Sequence, residues 1–183
     1  MALPNDYAGQ ACSLARTLEI VGERWTLLIV RDAFFGVRRF GDFAAHLGIP
    51  RAVLAERLKS LTAAGVLARV PAVPGATRGH PEYELTAKGV SLWPAVRALT
   101  AWGDEHYAPA GPRRLLWHAG DEGLVDANGR CTRCGASVPA RDTVVTPGPG
   151  LDLPGLESAE PAQDAVSMAL TRPHRLLEPL QHA

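Results

Sequence analysis

Cys131-Thr-Arg-Cys134-Gly135 has the form of one metal knuckle. The two-residue gap lets both thiolates meet one ion, and the glycine after them permits the tight turn that aims backbone amides at sulfur. His118, thirteen positions before Cys131, is the third donor, with Asp121, Glu122 or a water left to complete a tetrahedral zinc site. A metal-free hairpin and a redox-active thiol pair are the alternatives, but no βαβ pattern surrounds the pair, so a thioredoxin-type site is not expected. The third cysteine, Cys12, stands just before the first apolar helical run, with Arg16 on the next turn. A helix N-terminus and a nearby cation favour an oxidisable thiolate, whereas a buried cysteine at that place would be ordinary core filling. No phosphate loop, no Gly-x-Ser-x-Gly elbow and no carboxylate pair beside a base is present, so an enzyme is not expected.

These residues need a frame, and 183 residues supply one domain with an appendage, or two small ones. The chain is 46% hydrophobic, with 19 Lys+Arg against 19 Asp+Glu, so any charge argument must be local. From Arg38 to Lys88 eight basic residues face four acidic ones, a basic middle hidden by the neutral total. No apolar run reaches membrane-spanning length, Met1 to Leu14 lacks the pattern of a secretory signal, and an odd cysteine count suits a reducing compartment. A soluble cytoplasmic protein with no membrane partner is expected. Texture divides the chain into residues 1–110, which hold nearly all the periodic apolar pattern, a Cys/His-containing module at 111–147, and a Pro/Gly-rich, flexible tail at 148–183 with a short helix near Ala165 to Leu170.

The first part reads as helices over 12–21, 23–35, 40–47 and 51–64, with Gly22, Gly36, Gly48 and Gly65 as stops and Pro50 opening the last. Leu54, Leu58 and Leu61 fall on one side of the fourth helix. The opposite side carries Ala52, Ala55, Glu56, Lys59 and Ala63, flanked by Arg51 and Arg57, and small residues between long basic ones suit a helix entering a major groove. Val66 to Val70 and Glu82 to Leu85 read as a hairpin whose tip holds Arg78 and His80, with Arg69 and Lys88 beside it. A helix-turn-helix followed by such a hairpin is a winged helix, its tip able to reach the minor groove or the phosphates. Further on, Leu92, Val96, Leu99 and Trp102 form a helical stripe suited to packing another helix, while Trp25 and Phe34-Phe35 are core candidates. Leu115 to His118 and Ser137 to Val145 are the expected strands of the second module. The fold class is therefore mainly α with a small β-wing, then a zinc-ribbon-like β island and a disordered tail.

Cys12, Gly22-Glu-Arg-Trp-Thr-Leu-Leu-Ile-Val30, Phe40-Gly-Asp-Phe43, Leu54-Ala-Glu-Arg-Leu-Lys-Ser-Leu61, Gly65-Val-Leu-Ala-Arg69 and Tyr83-Glu-Leu-Thr-Ala-Lys-Gly89 occur in unbroken order. In this the chain resembles the HxlR-type branch of MarR-like transcription regulators over about residues 10 to 107. The resemblance implies a homodimeric regulator, most simply a repressor, that binds a two-fold symmetric double-stranded DNA operator and answers a small-molecule, redox or electrophile signal. It also implies that terminal helices bearing Leu92, Val96, Leu99 and Trp102 meet across the dimer axis, and that Cys12 is the thiol switch in relatives that sense oxidants. No cofactor is required for DNA binding, and a structural zinc held by Cys131, Cys134 and His118 is the one cofactor the sequence suggests. Pro50-Arg51 replaces the family's Ser-rich cap, and the wing tip Ala72 to Gly79 is unusually rich in small residues. The competing reading is a winged-helix module that binds a protein partner and not DNA.

Overall fold

Three leucines spaced by four and three residues lie on one side of a helix, and Leu54, Leu58 and Leu61 are all buried. In the computed structural model, residues 11–71, 81–151, 166 and 169–180 are described. The elements run α1 (Ser13–Val21), α2 (Arg24–Phe34), α3 (Phe40–Leu47), α4 (Arg51–Ala63), β1 (Leu67–Val70), β2 (Glu82–Leu85), α5 (Ala87–Val90), α6 (Trp93–Tyr107), β3 (Arg114–His118), a 3-10 turn (Ala140–Asp142), β4 (Thr143–Pro147) and β5 (His174–Arg175).

Local chemistry sets the helix ends. Pro50 caps α4 at φ −56°, where the amide hydrogen it lacks would have had no partner within the helix. At the other end Gly65 takes φ +68°, its amide bonds Thr62 O at 3.0 Å, and the Val66 amide reaches back to Leu61 O at 2.9 Å. Gly36 closes α2 the same way at φ +89°, with Val37 N bonding Asp32 O at 3.0 Å. Both are left-handed terminations that satisfy the last carbonyls of a helix.

The core gathers around α2, whose Ile29, Val30, Ala33 and Phe34 are buried among α3, α4, the wing and α6. The Phe34 ring lies 5.0 Å from that of Trp93. Trp25 and Phe35 pack against the same cluster, so the aromatic residues fill the core as expected. Strands β1 and β2 pair antiparallel from Leu67↔Leu85 to Val70↔Glu82. The Tyr83 amide donates to Arg38 O at 2.9 Å, Arg39 Nε meets the buried Glu82 carboxylate at 3.1 Å, and Arg38 pairs with Glu84. Two of the basic residues in the basic middle thus fasten the wing to the start of α3.

Beyond α6, β3 pairs antiparallel with β4, and β4 with β5. The expected single strand from Ser137 to Val145 is broken: Ser137 only bridges to Arg130, and Pro139 caps the 3-10 turn before β4 begins at Thr143. Proline has no amide hydrogen for the ladder, which explains the interruption.

The expectation of a disordered, flexible tail from 148 needs correction over its described part. Val166, Leu170 and Leu176 are buried in the common core, β5 joins the sheet, and the amides of Leu177 and Leu180 bond Phe34 O at 2.8 Å and Gly36 O at 3.2 Å. Proline and glycine content misled here, because sparse leucines and valines were enough to anchor the segment. The helix expected near Ala165 to Leu170 lies largely outside the described residues, although the Leu170 amide does bond Val166 O at 2.9 Å. Among the described residues no helix is long and apolar enough to cross a membrane.

Candidate nucleic-acid interface

With its leucines turned inward, α4 presents Arg51, Ala52, Ala55, Glu56, Lys59 and Ala63 to solvent. The Arg51 guanidinium lies over the Phe40 ring, 5.6 Å from its centroid, which steadies a long side chain at the start of the helix. Arg57 is half-buried and stands 3.8 Å from the Glu23 carboxylate, so it leans toward α2, away from the helix crest. Arg69 is exposed on β1. Lys88 is engaged within the chain, its Nζ donating to Ala64 O at 2.7 Å, where a cation satisfies a free carbonyl at the C-terminus of α4. Arg78, His80 and the wing tip Ala72 to Gly79 lie outside the described residues.

The stripe on α6 divides. Val96 is buried and Leu92 packs against the chain's own core, which removes both from an outward face, whereas Leu99 and Trp102 are 56% and 55% exposed. The sequence reading missed their neighbours in character: Leu14 and Leu18 on α1, and Tyr107 at the end of α6, are exposed apolar residues too. The four-residue spacing of Leu14 and Leu18 was the available signal. Trp102 rests against His106 and Tyr107 of its own helix, with ring centroids 5.0 and 5.3 Å away. Cys12 is exposed at the N-cap of α1, and the nearby Arg16 guanidinium bonds Glu19 at 2.7 Å.

Residues 20–110 match the model of the HxlR-like helix-turn-helix family. The uncharacterized HTH-type transcriptional regulator Rv3095 of Mycobacterium tuberculosis is 48% identical over 139 residues, covering 75% of this chain and 87% of that protein. The chain belongs to the HxlR-like helix-turn-helix family. YvaP of Bacillus subtilis, another uncharacterized HTH-type transcriptional regulator, is 35% identical over 98 residues, 52% of this chain and 87% of that protein. The crystal structure of PA1607, a transcription-factor candidate, superposes with a TM-score of 0.58 at 37% identity, covering 72% of this chain and 92% of that one. DNA binding and transcription regulation are therefore this protein's class of function. A 139-residue stretch of this chain must contain its middle, so the likeness to the mycobacterial protein runs past the HxlR-like domain into the C-terminal island.

Two further features lie at or beyond the edge of that domain. In the island, donor atoms of His118, Asp121, Cys131 and Cys134 all lie within 4.8 Å of one another, so these residues could hold a metal ion. Hydrogen bonds from the Cys134 thiol, the Gly123 amide and the Cys131 thiol hold the Asp121 carboxyl well below the usual carboxylate range. Between the HxlR-like core and the extension lies a cavity of about 370 Å³, with Phe35, Trp93, Leu116 and Leu170 among its apolar walls and Arg31, Arg113 and Arg114 as its cations. His46 Nδ1 and Trp93 Nε1, on two of its lining residues, are buried without a hydrogen-bond partner. Just behind, burial pushes the Asp32 carboxyl up against the pull of Arg31, whose Nε and Nη2 bond it at 2.8 and 2.7 Å, and burial pushes His46 down.

Proposed function

We propose that the protein is a homodimeric, sequence-specific repressor that seats one α4 per protomer in successive major grooves of a two-fold operator. The observation that carries this is the exposed face of α4, where alanines let the helix approach the bases and Arg51 and Lys59 reach outward. Arg57 and Arg69 add phosphate contacts from the sides, and Arg78 and His80 belong to the wing that would follow the groove. The exposed apolar residues Leu14, Leu18, Leu99, Trp102 and Tyr107 support association through α1 and α6, which would set the two reading helices about 34 Å apart.

Binding of the upstream duplex, followed by fluorescence anisotropy, should weaken steeply with salt as phosphate counterions are displaced. Arg51→Ala and Lys59→Ala should each cost about 1–3 kcal/mol if they read bases. Unchanged affinity in both variants would remove α4 as the reader, and salt-independent or absent binding would favour the protein-partner reading.

For the effector, the cavity between core and extension is suited to a small apolar anion: its cations outnumber its one carboxylate, Asp104, and Phe35, Trp93, Leu116 and Leu170 offer it apolar walls. Cys12, exposed and at a helix N-terminus, is the alternative entry point for an oxidant signal. A peroxide response that survives Cys12→Ser would place the input elsewhere.

A further inference from the structure

We infer that the C-terminal island is a structural zinc site closed by His118, Asp121, Cys131 and Cys134. The four ligands come as two short knuckles, His118-x-x-Asp121 starting at the last residue of β3 and Cys131-x-x-Cys134 across from it, each with two intervening residues. Bridges Trp117↔Leu124 and Val125↔Cys131 bring the knuckles face to face.

The distances suit one ion. His118 Nδ1 lies 3.1 Å from Asp121 Oδ1, Cys131 Sγ lies 3.1 and 3.4 Å from the two Asp121 oxygens, and Cys134 Sγ lies 3.6 Å from His118 Nδ1. Tetrahedral zinc, with bonds of about 2.0–2.3 Å to nitrogen, oxygen and sulfur, requires ligand-to-ligand edges of about 3.3–3.8 Å; these three pairs stand near that spacing, and the four donors together lie within 4.8 Å of one another. Two sulfurs, one imidazole and one carboxylate are a donor set for zinc, not for the hard cations magnesium or calcium.

The surroundings are shaped for the same purpose. The Gly123 amide donates to Asp121 Oδ1 at 2.9 Å and the Arg133 amide to Cys131 Sγ at 3.4 Å, so backbone donors orient two of the ligands. A side chain at Gly123 would run into Cys131 Sγ, and Cys131 itself is buried. Two thiolates and a carboxylate around a divalent ion leave one net negative charge. Arg133, bonding Asp121 O, and Arg130, bonding Gly135 O, stand close enough to offset it. With all four positions filled by protein the ion is structural, since a catalytic zinc keeps one position open.

The site ties the extension to the DNA-binding domain. His118 ends β3 opposite Thr143, while Ala140 and Val145 of the same sheet region enter the common core. Arg97 of α6 donates to Asp126 O between the two knuckles.

The test uses the full chain purified in reductant. Elemental analysis should find about one zinc per chain, and cobalt replacing zinc should give the intense absorption of tetrahedral, thiolate-bound cobalt. Cys134→Ser, at an exposed position whose variant can be checked for native circular dichroism, should lose the cobalt–thiolate spectrum of the four-ligand site and retain little zinc. Asp121→Ala should weaken zinc at least about tenfold in competition with a chelator. Less than about 0.2 zinc per chain after zinc loading and desalting, or a zinc content and affinity unchanged in Cys134→Ser, would overturn the site. Affinity unchanged in Asp121→Ala would overturn its closure by the carboxylate.

Discussion

Replacing Trp102 by alanine tests the proposed two-fold association most directly. Its ring is 55% exposed and rests on His106 and Tyr107 of its own helix. A tryptophan side chain carries up to about 250 Å² of surface, so roughly 140 Å² is available to a partner. At about 25 cal/mol per Å² this is about 3.4 kcal/mol per copy, and a two-fold axis counts it twice. Association returns only part of such a transfer energy, because ordering and imperfect packing oppose it. Taking half leaves about 3–4 kcal/mol for the pair, a loss of about two to three decades in the dimer dissociation constant. Sedimentation equilibrium over a concentration series measures that constant. Circular dichroism at a concentration where both forms are monomeric should be unchanged, because Trp102 makes no contribution to the buried cluster. A dimer constant within about threefold of the parent would show that α6 does not form the seam.

Gly36→Ala should loosen the C-terminal segment, because a Cβ there would meet the Glu178 carbonyl and the backbone stands at φ +89°. The left-handed conformation alone costs alanine about 1–2 kcal/mol, so an unchanged urea midpoint, or unaltered hydrogen exchange at Leu177 and Leu180, would contradict the docking. Docking of that segment should also weaken in acid. Burial holds His174 below its ordinary pKa, helped by Arg114 and opposed by its bond to Arg172 O and by Glu178. A histidine with a depressed folded pKa contributes stability that is present above about pH 6.5, where the unfolded form is neutral too, and is lost as pH falls toward the folded value. His174→Phe, which preserves the edge contact with Phe35, should flatten that dependence, and an identical pH profile of thermal unfolding in the variant would exclude His174 as its source.

The winged helix was legible because its signals are local. Leu54, Leu58 and Leu61 at helical spacing, Gly65 as a left-handed stop and the alternation of Glu82 to Leu85 each follow from contacts within a few residues. Lys88 was harder: a lysine beside a hairpin looks the same in sequence whether it meets a phosphate or Ala64 O. Likewise, Val96 and Leu99 share one helical stripe, and only the placement of the core decides that one is buried and the other is not. The tail was least legible, since Leu177 and Leu180 are anchored by the carbonyls of Phe34 and Gly36, more than a hundred positions away at the end of α2. In the island, sequence spacing left Asp121, Glu122 and water as equal candidates beside His118, Cys131 and Cys134, and the turn geometry put Asp121 among them.

The return of residues 170–180 to α2 has a consequence for how the molecule is born. The carbonyls of Phe34 and Gly36 are made early in translation, whereas Leu177 and Leu180, whose amides bond them, are among the last of the described residues to leave the ribosome. During that interval the nascent domain carries an uncovered greasy seam, and such long-range closure is slow to form and open to trapping by chaperones or by neighbouring chains.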